Sequence, residues 1–479
     1  MNLKYEFKNA WDFERKENTI EQIMQYSSNY MEFLSKSKTE RLSVKEIIKL
    51  AKENNYISID EAMEKGSISC GDKIYVINKE KAVALFVIGK NYIEKGMKII
   101  GSHIDSPRLD LKPNPLYQES NLGFFKTHYP LYQESNLGFF KTHYYGGIKK
   151  YQWTAIPLAL HGIVILNDGT KVDISIGEED SDPVFCVTDL LIHLAGDQMQ
   201  KKLSEGISGE ALNILIGNMP LEDEEKEPIT ANILKILNEK YNIVEEDLLS
   251  AEIEVVPAGK ARDLGLDRSM VLGYGHDDRV CSYAAVKAIL ETEQPEFTSV
   301  ALCVDKEEIG SKGNTGMHSK FFENTVAELI ALEGDYCDIK VRRALANSKV
   351  LSADVSAGYD PNFGEAYEKR NSAYMGNGVV LTKYTGSRGK SGCNDANAEF
   401  MSEVKRIFNK GNVVWQTAEL GKVDQGGGGT IAHILANQGA EVIDCGVGVL
   451  NMHAPHEIVS KVDIYEMYKG YKAFFNINL

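Results

Sequence analysis

At 479 residues, 43% hydrophobic and 25% charged, the chain has the composition of an ordinary globular protein and enough length for one large domain or two of usual size. Its net charge of −16 excludes a nucleic-acid partner, because phosphate binding needs clustered Lys and Arg. Seven scattered cysteines without a CxxC spacing exclude a disulfide framework and a cysteine zinc site, and point to a reducing compartment, the cytoplasm.

The opening segment MNLKYEFKNAWDFERKE is charged throughout, so no signal peptide is expected. Ser43 and Glu46 form a capping-box pattern, and Val44, Ile47, Ile48 and Ala51 then share one helical face. Ala82 to Ile88 and Met97 to Ile100 read as buried strands. The first is among the longest apolar runs and is far too short to span a membrane, so no membrane partner is expected. From about Leu109 to Gly265 the pattern changes. Strand-like runs at Ile156 to Leu166, Lys171 to Ile176 and Ala251 to Val256 surround helical segments near Val184 to Leu203 and Ile229 to Tyr241. After Asp267 strands and helices alternate. Strands are expected at Ser299 to Val304, Lys349 to Leu351, Gly378 to Lys383, Val413 to Thr417 and Glu441 to Cys445. Helices are expected near Val280 to Glu291, Lys320 to Ala331, Ala396 to Asn409, Thr430 to Asn437 and Ile464 to Ala473. That alternation predicts an α/β layered domain around a largely parallel sheet, with its site at the carboxyl ends of strands. The expected organisation is a layered domain from residues 1–108 and 266–479, interrupted by an inserted domain at 109–265.

PLYQESNLGFFKTHY occurs at 115–129 and again, identically, at 130–144. Two perfect copies do not make a solenoid. They point to a recent duplication or a sequence-assembly error, with one copy expected to loop out of the inserted domain.

Ligand-type residues stand at five places, near the ends of apolar runs or in a loop opening into a helix. His103 follows Ile99-Ile100, Glu307 and Glu308 follow Ser299 to Val304, Asp354 follows Val350-Leu351, and His453 follows Val447 to Leu450. Asp277 and Asp278 open the helical segment in GHDDRVCSYAAVKAIL. Imidazole and carboxylate suit zinc, a carboxylate can bridge two ions, and a free Glu can take a proton from an activated water. Of the adjacent glutamates, one would bind metal and the other handle protons. Asp105 is spaced to orient the His103 ring. Each residue alone also has an ordinary reading. A His after a strand is more often structural, Asp-Asp before a helix is usually a cap, and a Glu pair is usually surface charge. Five such places in one α/β region make the metal reading the stronger one.

Seven ordered stretches resemble the aspartyl aminopeptidase and aminopeptidase I family of dinuclear zinc exopeptidases: GSHIDSPRLD, YYGGIKKYQW, GHDDRVCSY, DKEEIGS, SADVSAGYDPNF, ELGKVDQGGGGTIA and NMHAPHEI. They span residues 101–458. The resemblance implies that Asp277 bridges two metal ions. His103 and Asp354 would complete one ion's protein ligands, and Glu308 and His453 the other's. It further implies that Glu307 is the general base and Asp105 the partner of His103. The fold implied is a three-layer αβα metallopeptidase domain with a mainly parallel sheet, interrupted by a β-rich dimerisation domain. Assembly into a homo-oligomer, a dodecamer built from dimers, is also implied, with His193 reaching a neighbouring subunit's active site. Without the resemblance, His193 reads as a helix-face residue packed against its own domain. His276 and His456 match no ligand of the family and read as supporting or surface residues. His128 and His143 belong to the repeat and match no catalytic position.

The run Gly426 to Gly429 lacks the endings of a nucleotide-binding loop. It reads as a place where small residues, Gly427 and Gly428 among them, let a peptide backbone approach. Lys383 and Arg388 offer charge to a substrate carboxylate, or are solvated loop residues. The expected activity is removal of N-terminal residues from peptides, with two zinc ions per subunit and cobalt or manganese as alternatives. The competing readings are a carboxypeptidase or N-deacylase on the same site, and a non-catalytic assembly or cargo-binding protein that keeps the fold.

Overall fold

The computed structural model describes residues 7–118, 137–224 and 226–479. The chain divides into two compact units: Met1–Ser106 with Lys260–Met452 and His456–Leu479, and Pro107–Gly259 with His453–Pro455.

The first unit is built on a nine-stranded sheet. In spatial order its strands are Ile57–Ser58, Lys73–Asn78, Ala82–Val87, Thr298–Val304, Met97–His103, Lys349–Ser352, Glu441–Gly446, Val379–Thr382 and Trp415–Thr417. The four from Thr298–Val304 to Glu441–Gly446 run parallel and form the centre. Their sequences are nearly continuous apolar runs because both faces are covered. Ala301, Ile100, Leu351 and Ile443 pack on one side with residues of helices His276–Leu290 and Lys461–Asn476. Val300, Ile99, Val350 and Val442 pack on the other with residues of helices Phe321–Glu333, Asp338–Ala346 and Ala432–Ala436. The unit is therefore the expected α/β sandwich with a mostly parallel sheet. A second, five-stranded sheet joins Arg262–Leu264, Met270–Gly273, Glu457–Ser460, Gly448–Leu450 and Ser356–Ala357.

Two local expectations need correction. The early helix starts at Glu40, and its cap is Thr39, whose side chain accepts from the Leu42 N–H. Ser43 lies inside that helix, buried, and its hydroxyl donates to the Thr39 carbonyl instead of capping. A capping box does occur at Ser58 and Glu61. The single helix expected near Val184 to Leu203 is instead a short strand, Cys186–Val187, then a 3-10 turn at Ile192–Leu194 and two one-turn helices. Cys186 and Val187 pair with the strand Ile214–Gly217, which draws them out of any helix. Asp189 then turns the chain, accepting from the Leu190 N–H and the Gln198 side chain.

The second unit carries a seven-stranded antiparallel sheet: Lys171–Ile176, Leu158–Ile165, Glu252–Pro257, Arg108–Gln118, Gly138–Tyr145, Ile214–Gly217 and Cys186–Val187. Helix Pro228–Tyr241 starts with proline at its first position, where no amide is missed. The buried Arg108 guanidinium bonds Asp110 at 2.8 Å, lies 3.2 Å from Glu254, and covers the Tyr145 ring at 3.9 Å. Of the two repeats, the start of the first and the end of the second form adjacent strands, with Leu116 opposite Phe140 and Gln118 opposite Gly138. The expectation that one copy loops out falls on residues outside those described, as does His128. Among the described residues no helix is long and apolar enough to cross a membrane.

Candidate metal centre

Parallel strands place their carboxyl ends side by side, and here those ends carry the chemistry. His103 is the last residue of Met97–His103, in register with Val304 at the end of Thr298–Val304. The loop after Val304 turns through Lys306, in the left-handed region at φ 66°, into Glu307 and Glu308. The Lys306 amine folds back onto Asp305 at 2.8 Å and onto Thr315, which pins that turn. Asp354 follows Lys349–Ser352, and Asp277 opens helix His276–Leu290.

These side chains converge. His103 Nε2 lies 3.2 Å from Asp277 Oδ1 and 3.9 Å from Glu307 Oε2. Three overlapping sets of ligand atoms fall within 4.8 Å of one another: His103, Glu307 and Asp354; His103, Asp277 and Glu308; and Asp277, Asp278 and Asp354. His103 Nδ1 is 3.0 Å from the Asp105 carbonyl oxygen and 3.3 Å from its Oδ1. Asp105 also does something its spacing from His103 did not signal. Its two carboxylate oxygens accept the backbone N–H groups of Glu307, at 3.1 Å, and Glu308, at 3.2 Å. One buried carboxylate therefore orients the histidine and anchors the glutamate pair together.

The electrostatics are those of a site built around a cation. Burial pushes Asp278 and Asp354 well above the usual carboxylate range. Neighbouring charge adds to this, from Asp277 for Asp278 and from Asp278 and Glu307 for Asp354. Burial opposes charge on His103, but hydrogen bonds to Asp105 and Asp277 outweigh it and raise its pKa. Asp278 is fully buried, and among the described residues its Oδ1 has no hydrogen-bond partner. Such a carboxylate is costly unless a proton or a cation compensates it. Imidazole and carboxylate donors in this number fit a divalent ion, and zinc in particular.

The other sequence-singled residues are placed as follows. His453 groups with the second unit, takes φ 66°, and brings Nδ1 2.9 Å from the Gly147 carbonyl. That bond puts the ring proton on Nδ1, and His453 stands in none of the three ligand sets. His193 is exposed on the turn Ile192–Leu194, which overturns its alternative reading as a packed helix-face residue. His276 is buried with Nδ1 2.6 Å from the Tyr30 hydroxyl, while His456 and His143 are exposed. Lys383 is held by Asp395 at 2.5 Å, and Lys390 shares that carboxylate. Lys383 follows Val379–Thr382, which runs antiparallel to Glu441–Gly446, so it leaves the sheet in the direction opposite to the strand ends bearing His103 and Asp354. Arg388 lines a cavity of about 280 Å³ with Lys390, Lys422 and Glu419. A Cβ at Gly427 would come within 2.2 Å of the Gly386 carbonyl, and the Gly428 carbonyl accepts from the Gly386 N–H. Close approach of that neighbouring loop already explains the glycine at 427. Sequence reasoning missed Ser106 and Glu457, which bond the backbone of Asp277; both stand inside motifs already singled out.

A layered α/β unit that gathers a histidine and several carboxylates at its parallel strand ends defines a metal-dependent hydrolase. The family described as aminopeptidase I zinc metalloprotease (M18) matches residues 33–475. A probable M18 family aminopeptidase 1 of Clostridium acetobutylicum is 55% identical over 477 residues, covering 99% of each chain. The crystal structure of aminopeptidase I from that organism superposes with a TM-score of 0.90 at 51% identity, covering 99% of this chain and 100% of that one. The M18 aminopeptidase of Thermotoga maritima superposes at 0.92 with 43% identity, covering 99% and 100%. A Saccharomyces cerevisiae mApe1 dodecamer shares the fold, at 0.72 and 22% identity over 94% and 95% of the two chains. The chain belongs to the M18 family of zinc aminopeptidases. It is a metallopeptidase that hydrolyses peptide bonds, and the carboxypeptidase, deacylase and non-catalytic readings are set aside in favour of the aminopeptidase.

Proposed function

We propose that this enzyme removes N-terminal residues from peptides with two zinc ions per subunit and Glu307 as general base. The observation that carries the proposal is the overlap of the three ligand sets, in which His103, Asp277 and Asp354 each belong to two. A shared carboxylate is the means by which one site holds a pair of ions. Asp277 would bridge, with His103 and Asp354 on one ion and Glu308 and His453 on the other. Bound zinc would lower the pKa of a water toward neutrality and polarise the scissile carbonyl. Glu307, its amide fixed by Asp105, takes the water's proton and delivers it to the leaving amine. Asp105 holds the His103 ring in the tautomer whose Nε2 can bind metal.

We propose too that the chain assembles into a homo-oligomer; the yeast protein of the same fold is a dodecamer. The support in this chain is an apolar stretch left in water: Leu191, Ile192, Leu194, Met199 and Leu203 are all exposed around His193. In that assembly His193 serves a neighbouring subunit's active site, and the β-rich unit acts as the dimerisation domain. Arg388 is kept as a candidate contact to an acidic substrate group, with Gly427 and Gly428 against its loop, whereas Lys383, bound to Asp395 and directed away from the strand ends bearing His103 and Asp354, is not. Seven free cysteines agree with a cytoplasmic location.

The test is Glu307→Gln. Turnover should fall by about 10²–10⁴-fold with metal content unchanged. Near-parental activity would remove Glu307 from its role.

A further inference from the structure

We infer that Glu457 is a positioning residue for Asp277. Asp277 is one of two carboxylates shared between ligand sets, with Asp354, yet its backbone is extended, at φ −80° and ψ 105°, at the head of a helix. There its N–H has no partner within the helix. That N–H donates instead to Glu457 Oε2 at 3.0 Å, and its carbonyl accepts from Ser106 Oγ at 2.7 Å. Both partners are buried, so the residue is held at each end by a polar contact shielded from water.

The location of Glu457 is set by sheet register. It begins the strand Glu457–Ser460, paired antiparallel to Met270–Gly273 with Glu457 opposite Gly273. Two residues after Gly273 the chain turns through Gly275 at φ 76°, where a Cβ would come within 1.9 Å of Arg279 Nη1. The Arg279 guanidinium donates to the carbonyls of Ile104 and Lys38, which ties the same loop to the segment carrying His103 and Asp105. Residues 275–277 are thus gripped from both sides, and Glu457 is the acceptor that fixes where the Asp277 carboxylate starts.

A residue that aims a metal ligand typically governs affinity by about 10–100-fold when removed. The inference rests on the metal-centre proposal above. It is tested by zinc affinity, measured by competition with a chromophoric chelator, and by the visible spectrum of the cobalt-substituted protein, for Glu457→Ala, Glu457→Gln, Glu457→Met and Ser106→Ala. Glu457→Ala should bind zinc about 10–100-fold more weakly, with a changed cobalt spectrum. Glu457→Gln, which keeps an acceptor oxygen, should stay near the parent. Ser106→Ala should weaken binding in the same direction, and Glu457→Met, which fills the same space without an acceptor oxygen, decides the matter if Glu457→Ala does not fold. Parental zinc affinity and an unchanged cobalt spectrum in the deciding variant would overturn the role, even if thermal stability fell. A parent that binds no zinc would overturn the metal centre as well, so the two failures are distinguishable.

Discussion

The larger unit takes carboxylates out of water, whereas the inserted unit leaves leucines in it. In the first, Asp105, Asp277, Asp278, Glu457, Asp463 and Glu466 are all buried. Among the described residues of the second, buried Arg108 is matched by Asp110 and Glu254, and buried His161 by Glu178. Its distinguishing feature is a cluster of exposed apolar residues at 190–203, with Ile192 and Leu194 each 68% exposed. Burying like charges raises the free energy of the folded state unless something positive or a proton compensates them. Exposing leucines does the same unless something apolar covers them. The stability of one unit should therefore depend on metal and pH, and that of the other on assembly.

The largest effect expected from this contrast, after the loss of turnover in Glu307→Gln, is on metal removal. Zinc at a thousand times its dissociation constant should stabilise the folded protein by about 4 kcal/mol over the chelated form. Calorimetry with and without zinc checks this, and no shift in the melting transition would break the contrast. Next comes Arg108→Ala. Stranding the Glu254 carboxylate should cost about 3 kcal/mol in a urea melt while zinc affinity stays parental. A fall in zinc affinity would show that the two units are not separable in this way. Ile192→Asp should lower the assembled mass seen by analytical ultracentrifugation without unfolding the chain, and an unchanged mass would leave the exposed leucines unexplained.

The smallest effect concerns protons. Burial pushes Glu466 up to about 8, with its neighbour Glu14 adding to the shift, and burial pushes Asp463 up to about 7. Between their ordinary values near 4 and these, the folded chain keeps protons that the unfolded chain has released. Stability contributed by these groups is therefore lost as pH rises through that window, and the curve levels above it. Glu466→Gln, which mimics the protonated form, should flatten the decline between about pH 5 and 8 in urea midpoints. An unchanged slope would remove Glu466 from this role.

How much of this was readable from sequence differs by residue. The strands bearing His103, Glu307 and Asp354 were legible because buried parallel strands are continuous apolar runs, whose ends mark themselves. The ligand types were legible because few residues bind zinc. The second task of Asp105 was not, since it depends on the amides of residues some two hundred positions away. Glu457 was hidden for the same reason: only the register of two short strands brings it to Asp277. Ser43 misled because Ser-x-x-Glu is a local signal, and packing started the helix one turn earlier at Thr39. The segment 184–203 misled because pairing of Cys186 and Val187 with a distant strand overrode its helical periodicity. Across the molecule, long-range backbone contacts were what local pattern could not supply.

The most direct test of the central claim is to titrate chelated protein with zinc while following both binding and hydrolysis of aminoacyl-anilides, with N-acetylated counterparts as controls. A two-metal aminopeptidase predicts two equivalents bound per subunit, cleavage of free-amine substrates that returns with them, and inert N-acetylated substrates. Full activity in the chelated protein, or saturation at a single equivalent, would contradict it.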